Sequence, residues 1–144
     1  MKKIDNWIHV IGGLLILLFM YTAFSKWADM TKFRHQMMAQ PFNLKYLPLL
    51  IYGLPAIEII CALLIIPAKT RFYGLVGSSI LMLLFTGYII LIKTHYYSYI
   101  PCSCGGVIEG FNWTQHLFFN LFFLLLAVLG VSMLAKNRNY ITEN

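Results

Sequence analysis

Two cysteines separated by one residue, Cys102 and Cys104, are the most reactive side chains in the sequence. They lie in a polar stretch, after Pro101 and before Gly105 and Gly106, and long apolar runs flank that stretch on both sides. A cysteine thiolate can attack a disulfide, and a neighbouring thiol can then resolve the mixed disulfide. The pattern therefore predicts thiol–disulfide exchange, with Cys102 and Cys104 as the redox pair.

The spacing of the pair predicts a strained disulfide. In a fully extended chain the Cα atoms of Cys102 and Cys104 would lie roughly 6.6–7.2 Å apart, whereas a disulfide needs about 4.4–6.8 Å. The pair can close only if Ser103 turns the chain, and the neighbouring proline and glycines suit such a turn. A strained disulfide has a higher reduction potential, which favours exchange over structural cross-linking.

Three other interpretations of the pair stay open. The cysteines could be incidental or could form a permanent local disulfide. Two thiolates, with His95 or His116, would suit a soft metal such as Cu(I) or Zn. The protein could also be a non-catalytic membrane scaffold in which Cys102 and Cys104 belong to a docking loop.

The composition of the chain predicts a membrane protein. Its hydrophobic fraction is 60% and its charged fraction is 11%, against about 45–50% and about 25% in a soluble domain. The net charge of +6 could indicate nucleic-acid binding. However, the basic residues are dispersed at the ends of apolar runs, where they act as topology signals and lipid contacts. We therefore expect the lipid bilayer, and not nucleic acid, as the surroundings.

Four apolar runs are long enough to cross a bilayer, since about 20 residues span a hydrocarbon core of about 30 Å. The predicted spans are 7–25, 47–66, 72–92 and 113–135. We expect an all-α, four-transmembrane-helix bundle that forms a single integral membrane domain over residues 1–144. The first run is longer than the apolar part of a secretory signal. We interpret it as a retained span, with cleavage as the alternative.

A short amphipathic helix is predicted on the membrane surface between the first and second spans. Apolar residues recur there at helical spacing, with charged residues between them. The apolar positions are Trp27, Met30, Phe33 and Met37.

The second span contains the one acidic residue inside any apolar run, Glu58. A carboxyl group within a membrane span is a candidate functional group, here for proton transfer, or for an internal pair with Lys26. Cys61 lies three residues later on the same helical face, as a packing residue or an electron relay. Pro55 is expected to kink the span and to leave the carbonyl of Ile51 without its helical donor.

The fourth span begins with residues that could support the cysteine pair. Asn112 is a plausible N-cap. Trp113, His116 and Asn120 follow at spacings that place them on one helical face. His116 could transfer protons or form a hydrogen bond across the bundle, and a helix start near the cysteines could lower a thiolate pKa.

Charge counting favours one orientation by a narrow margin. Four spans place both termini on one side, with six Lys and Arg residues against five on the other side. The six are Lys2, Lys3, Lys69, Arg71, Lys136 and Arg138, and the five are Lys26, Lys32, Arg34, Lys45 and Lys93. Because short flanking segments carry most weight, we expect cytoplasmic termini and an extracytoplasmic cysteine loop, where a disulfide can persist.

Four motifs, in order, resemble the MauE branch of the DoxX-like membrane proteins over nearly the whole chain. They are Phe24-Ser25-Lys26-Trp27, Pro55-Ala56-Ile57-Glu58, Cys102-Ser103-Cys104-Gly105-Gly106 and the stretch from Asn112-Trp113 to Asn120. Gly105 departs from the pattern, since an aromatic residue is common there in the family.

The resemblance implies a bacterial inner-membrane protein of four helices. Members of the family are associated with thioredoxin-fold partners and with disulfide delivery to periplasmic proteins, as in maturation of the methylamine dehydrogenase small subunit. DoxX relatives are associated with quinone-linked thiosulfate oxidation. A quinone cofactor therefore stays open, although no sequence feature specifies a quinone pocket. Structural roles are expected for Lys26, Pro55, Gly105, Gly106, Trp113 and Asn120.

Overall fold

A computed structural model describes the backbone of residues 2–41, 43–94 and 112–142, and the side chains of residues 6–41, 43–94 and 112–136. Helices are the only regular elements in these ranges. They are α1 (Lys2–Ala28), α2 (Met30–Met38), α3 (Leu47–Ile65), α4 (Arg71–Lys93) and α5 (Trp113–Thr142). The predicted Cys-x-Cys loop, with His95 and residues 101–106, lies outside the described residues.

Four of the described helices are long and apolar enough to cross a membrane, with mean hydropathies between 2.0 and 2.5. The membrane segments are Asn6–Ala28, Leu47–Ile65, Arg71–Lys93 and Trp113–Lys136. The predicted all-α fold with four spans is confirmed, and the chain is a multi-pass membrane protein. The first helix continues past the predicted end at residue 25, so Trp27 belongs to α1 and not to the surface helix.

The four spans form a ring in the order α1, α3, α4, α5. α1 packs on α3 and α5, and α4 packs on the same two helices. The inside of the ring is apolar, and Leu15, Phe19, Leu75 and Ala127 are completely buried there. The outside carries many exposed aliphatic and aromatic side chains. In a bilayer these outer side chains contact the lipid hydrocarbon.

The α3–α4 hairpin is held by close backbone packing and by capped carbonyls. A Cβ atom on Gly74 would lie 2.7 Å from the backbone nitrogen of Ile65, so only glycine fits there. The Thr70 hydroxyl donates to the carbonyl of Leu64 at 2.8 Å. The Arg71 guanidinium donates to the carbonyl of Ile65 and to that of the next residue, both at 3.1 Å. These bonds satisfy carbonyls that a helix end leaves without partners.

The surface helix α2 lies across the start of α3. The side chain of Asp29 caps its N-terminus. Its buried residues Phe33 and Met37 pack with Leu47 and Ile51 of α3. This confirms the predicted amphipathic helix between the first two spans, with its apolar face against protein.

Pro55 lies inside α3, which runs without interruption from Leu47 to Ile65. The proline ring is buried. Because proline has no backbone N–H, the Ile51 carbonyl lacks its usual donor four residues later.

Candidate functional site

The start of α5 is fixed by a reciprocal capping box. Asn112 Oδ1 accepts from the backbone N–H of Gln115 at 2.9 Å. Gln115 Oε1 accepts from the backbone N–H of Asn112, also at 2.9 Å. The predicted N-cap at Asn112 is confirmed, and two of the unpaired donors of the helix start are satisfied. The chain therefore enters the fourth span at a defined point, eight residues after Cys104.

The end of α4 is joined to the start of α5 by a side-chain hydrogen bond. Lys93 Nζ donates to Thr114 Oγ1 at 2.8 Å. Lys93 is the last residue of α4 and Thr114 is the second residue of α5. Both ends of the segment that contains Cys102 and Cys104 are thus brought together at one end of the bundle. The two cysteines themselves lie outside the described residues.

A buried ion pair joins the last turn of α1 to the middle of α3. Lys26 Nζ lies 2.8 Å from Glu58 Oε1 and 2.9 Å from Glu58 Oε2. It also donates to the carbonyl oxygen of Thr22 at 3.3 Å. The two charged side chains are only 6% and 2% exposed. The structure thus shows the internal pair that the sequence leaves open for Glu58.

The pair forms because the two helices run in opposite directions. Helical side chains lean toward the N-terminus of their own helix. Lys26, near the end of α1, therefore leans into the bundle, whereas Glu58 leans toward the start of α3. Glu58 lies 11 residues after Leu47 (58 − 47), which is about 16 Å along the helix axis.

The surface helix covers the pair from one side. Lys26 Nζ lies 5.9 Å from the centroid of the Phe33 ring, within the range of a cation–π contact. Phe33 is 3% exposed, so the ring shields the ammonium group from water. Among the described residues, every buried side-chain nitrogen and oxygen has a hydrogen-bond partner. The pair is therefore desolvated and fully satisfied, the condition under which buried charges are tolerated.

Cys61 lies on α3 one turn after Glu58 and is 6% exposed. It belongs to the main apolar core, and a Cβ atom on Gly77 of α4 would lie 3.1 Å from its Sγ atom. Its surroundings are those of a small packing residue. An electron-relay role for Cys61 stays a prediction, because both possible thiol partners lie outside the described residues.

The predicted face of α5 points into the bundle. His116 is 4% exposed, and Trp113 and Asn120 are half-buried. Their neighbours Thr114 and Gln115 are exposed. α5 and α3 occupy opposite corners of the ring, so His116 and Glu58 belong to diagonal helices. A proton-transfer role for either residue stays a prediction.

The sequence analysis misses two contacts at this end of the bundle. The Tyr88 hydroxyl donates to Gln40 Oε1 and connects the segment after α2 to α4. Phe33 contacts the ammonium group of Lys26. The one sequence feature that could have predicted the Tyr88 hydrogen bond is a polar side chain late in an apolar run. That feature does not identify Gln40 as the partner.

The outer face of α5 contains an open apolar groove of about 610 Å³. It is lined by Gln115, Phe118, Phe119, Phe122 and Phe123. Phe118 and Phe122 are 69% and 56% exposed, so the groove opens toward lipid. In the described part of the chain, no group of three or more His, Cys, Asp or Glu side chains could hold a metal ion.

Comparison with known families supports a single assignment. The chain matches no curated protein and no solved structure. The family model described as methylamine utilisation protein MauE matches residues 4–133 of the 144. The match includes the first three spans, the fourth span up to residue 133, the ion pair and the Cys-x-Cys segment. The chain belongs to the MauE family of membrane proteins.

Proposed function

We propose that this protein is a membrane-embedded thiol–disulfide redox protein. Cys102 and Cys104 exchange electrons with an extracytoplasmic thioredoxin-fold protein or with a secreted, cysteine-containing protein. The observation that carries the proposal is the anchoring of both ends of the cysteine segment, by Lys93 with Thr114 and by the cap at Asn112. Because these flanking residues lie at one end of the bundle, we expect the cysteines at one surface of the membrane, within reach of soluble partners.

The exchange conserves atoms and electrons. In the direction of disulfide formation, a partner thiolate attacks one sulfur of the Cys102–Cys104 disulfide and releases the other as a thiolate. The second thiolate of the partner then attacks the mixed disulfide. The partner gains a disulfide, and Cys102 and Cys104 are left as two thiols after taking up two protons. In the reverse direction, the pair is oxidised by a partner disulfide.

The ion pair supports the proposed orientation. Because Lys26 is neutralised by Glu58 inside the bundle, it does not count as a free positive charge at the membrane surface. The balance then becomes six basic residues beside the termini against four on the other side (5 − 1). This favours cytoplasmic termini and an extracytoplasmic cysteine loop in a bacterial inner membrane.

The remaining site residues would stabilise the helices that flank this loop. Lys26 and Glu58 hold α1 against α3, and Trp113 and Asn120 set the inward face of α5. The whole chain would then be one membrane domain that presents a single reactive loop.

Trapping of mixed disulfides tests the proposal. Cys102→Ser and Cys104→Ser, made singly, are expected to accumulate a mixed disulfide with a partner, seen as a shifted band that reductant removes. Cys61→Ser is the matched control, because it keeps both Cys102 and Cys104 and can still resolve a mixed disulfide, so it is expected to trap nothing. The proposal fails if neither single variant traps a partner and the double variant keeps full activity in cells.

Thiol labelling tests the orientation. A membrane-impermeant maleimide added to intact spheroplasts is expected to label Cys102 and Cys104 after reduction, while Cys61 stays unlabelled until the protein is denatured. Labelling of the pair only after the membrane is permeabilised would place the loop in the cytoplasm and contradict the proposed function. If cysteine-to-serine variants retain activity in cells, that result would instead support the interpretation of the protein as a non-catalytic scaffold.

A further inference from the structure

The segment that joins α1 to α3 must lie at the bilayer surface. α1 ends at Ala28 and α3 begins at Leu47, and both helices are membrane spans. Because α2 packs on Leu47 and Ile51 at the start of α3, α2 lies near the level of the lipid headgroups. The inward face of α2 is occupied by its contacts with α3. The chemistry of its other faces, and of the turn that follows, then determines what the segment contacts.

The turn before α3 displays an apolar, a cationic and an aromatic side chain in succession. Asn43 organises the turn, since its carbonyl accepts from Tyr46 N–H at 2.9 Å and its side chain accepts from Lys45 N–H at 3.0 Å. Leu44 is 74% exposed and Tyr46 is 56% exposed. Beside them, Leu49 in the first turn of α3 is 70% exposed. The exposed apolar surface of the turn is thus continuous with the lipid-facing side of a span.

The segment also carries exposed cations. Arg34 and Lys45 are exposed, and Arg34 follows the buried Phe33, which places it at the edge of the covered face of α2. Asp29 is the one acidic residue between residues 25 and 46, and its carboxylate is used to cap α2. Its single negative charge stands against three basic residues, Lys32, Arg34 and Lys45, so the segment keeps a net positive charge.

We propose that Arg34 and Lys45 bind phosphate groups of anionic phospholipids in the leaflet on this side of the membrane. The guanidinium of Arg34 can contact phosphate oxygens in a bidentate manner, and the lysine adds a point charge. Leu44 enters the acyl region, and Tyr46 lies at the headgroup level where aromatic rings are favoured. The exposed leucine favours lipid over an acidic protein surface, because a water-facing docking site would leave that side chain in water.

Native mass spectrometry of the purified full-length protein tests this inference. The protein is titrated in detergent with phosphatidylglycerol, and separately with zwitterionic phosphatidylcholine of the same chain length. We expect tighter binding of phosphatidylglycerol. Each basic residue near an anionic surface contributes about 1 kcal/mol, or about fivefold. The double variant Arg34→Gln/Lys45→Gln should therefore lose roughly 25-fold in phosphatidylglycerol affinity.

Two control variants separate the charges from the apolar anchor. Lys69→Gln/Lys136→Gln removes two exposed cations from the opposite end of the bundle and is expected to keep the phosphatidylglycerol preference of this site. Leu44→Ser should lower the affinity for both lipids by the same factor, because it removes apolar contact and no charge. All the changed side chains are exposed, so thermal unfolding should match that of the native protein.

Three outcomes would overturn the inference. The first is an Arg34→Gln/Lys45→Gln variant that binds phosphatidylglycerol as tightly as the native protein. The second is an equal loss in the Lys69→Gln/Lys136→Gln control, which would show that charge anywhere on the protein suffices. The third is unchanged lipid binding with loss of a cross-link to an acidic protein in cells, which would assign the surface to a protein partner. None of these outcomes depends on the redox activity of Cys102 and Cys104.

Discussion

The two ends of the bundle are built in different ways. At one end, α3 and α4 are joined by a short turn whose carbonyls are capped by Thr70 and Arg71, and Gly74 lets the two helices meet backbone to backbone. At the other end, two long connections join the spans, a surface helix covers a buried ion pair, and the cysteine segment is anchored.

The contrast supports the proposed location of the function. The hairpin end uses backbone caps and close packing, which stabilise a fold and offer no reactive group. The other end buries two charges in a membrane protein, where charged side chains are costly and mark functional regions. The predictions below test this contrast, from the largest expected effect to the smallest.

Removal of one partner of the ion pair should cause the largest loss of stability. Glu58→Ala leaves the Lys26 ammonium buried without a counterion, and breaking such a pair costs about 3–5 kcal/mol. Unfolding in detergent, followed by tryptophan fluorescence, measures this loss. The double variant Lys26→Met/Glu58→Leu removes both charges. Its free energy of unfolding should lie within about 1 kcal/mol of that of the native protein.

The double variant also sharpens the comparison of the two ends. If it folds but loses activity in cells, the charges contribute to function beyond holding α1 against α3. If it loses as much stability as Glu58→Ala, the ion pair is not the reason why Glu58 matters to the fold.

A methyl group at the hairpin end should have the next largest effect. In Gly74→Ala the new Cβ atom would lie 2.7 Å from the backbone nitrogen of Ile65, so α3 and α4 must separate, at about 1–3 kcal/mol. Gly87→Ala on the same helix is the matched control, because no atom lies within 4 Å of its new Cβ apart from its chain neighbours and the local helix backbone. The stability of the control variant should be unchanged or higher by up to about 1 kcal/mol, since alanine favours helix. Equal losses in both variants would show that the close approach does not limit stability.

Loss of the cap on α5 should be smaller and local to the cysteine segment. Asn112→Ala removes the acceptor for the Gln115 N–H, and such losses are typically about 1 kcal/mol. Asn112→Asp keeps the acceptor and should retain the stability. Hydrogen exchange should speed up in the first turn of α5 in the alanine variant and not in α3. Unchanged exchange in that turn would contradict the role of the capping box.

The smallest effect is expected at the exposed bond between α4 and α5. Thr114→Val removes the acceptor for Lys93 Nζ and should cost less than about 1 kcal/mol, because the bond faces solvent. Trapping of a partner by Cys104→Ser is the more sensitive measurement, and it should fall in this background. Thr114→Ser keeps the hydroxyl and should preserve trapping. Equal trapping in both backgrounds would mean that this bond does not position the cysteines.

Much of the fold can be predicted from local properties of the chain. Long apolar runs predict four spans because backbone groups in lipid must be satisfied within a helix. Phe33 and Met37 at helical spacing predict the surface helix, and Asn112 predicts the start of α5. α1 extends to Ala28, beyond the predicted end of the first span at about residue 25, because polar residues such as Lys26 suggest a surface segment when no partner for them is visible in the sequence.

The candidate site depends more strongly on how the helices come together. Lys26 and Glu58 are 32 residues apart, and either could have faced lipid headgroups or another partner. The proton-transfer, relay and redox roles of His116, Cys61 and the Cys102–Cys104 pair stay predictions.

Hydropathy and spacing along the chain were sufficient for the number of spans, the surface helix and the position of the one intramembrane acid. The packing of the helices decided that α1 lies beside α3, that Lys26 neutralises Glu58, and that Lys93 meets Thr114. The reason is physical: hydropathy depends on each residue and its near neighbours, whereas contact between distant side chains depends on helix order, rotation and depth. Those quantities exist only once the spans have packed.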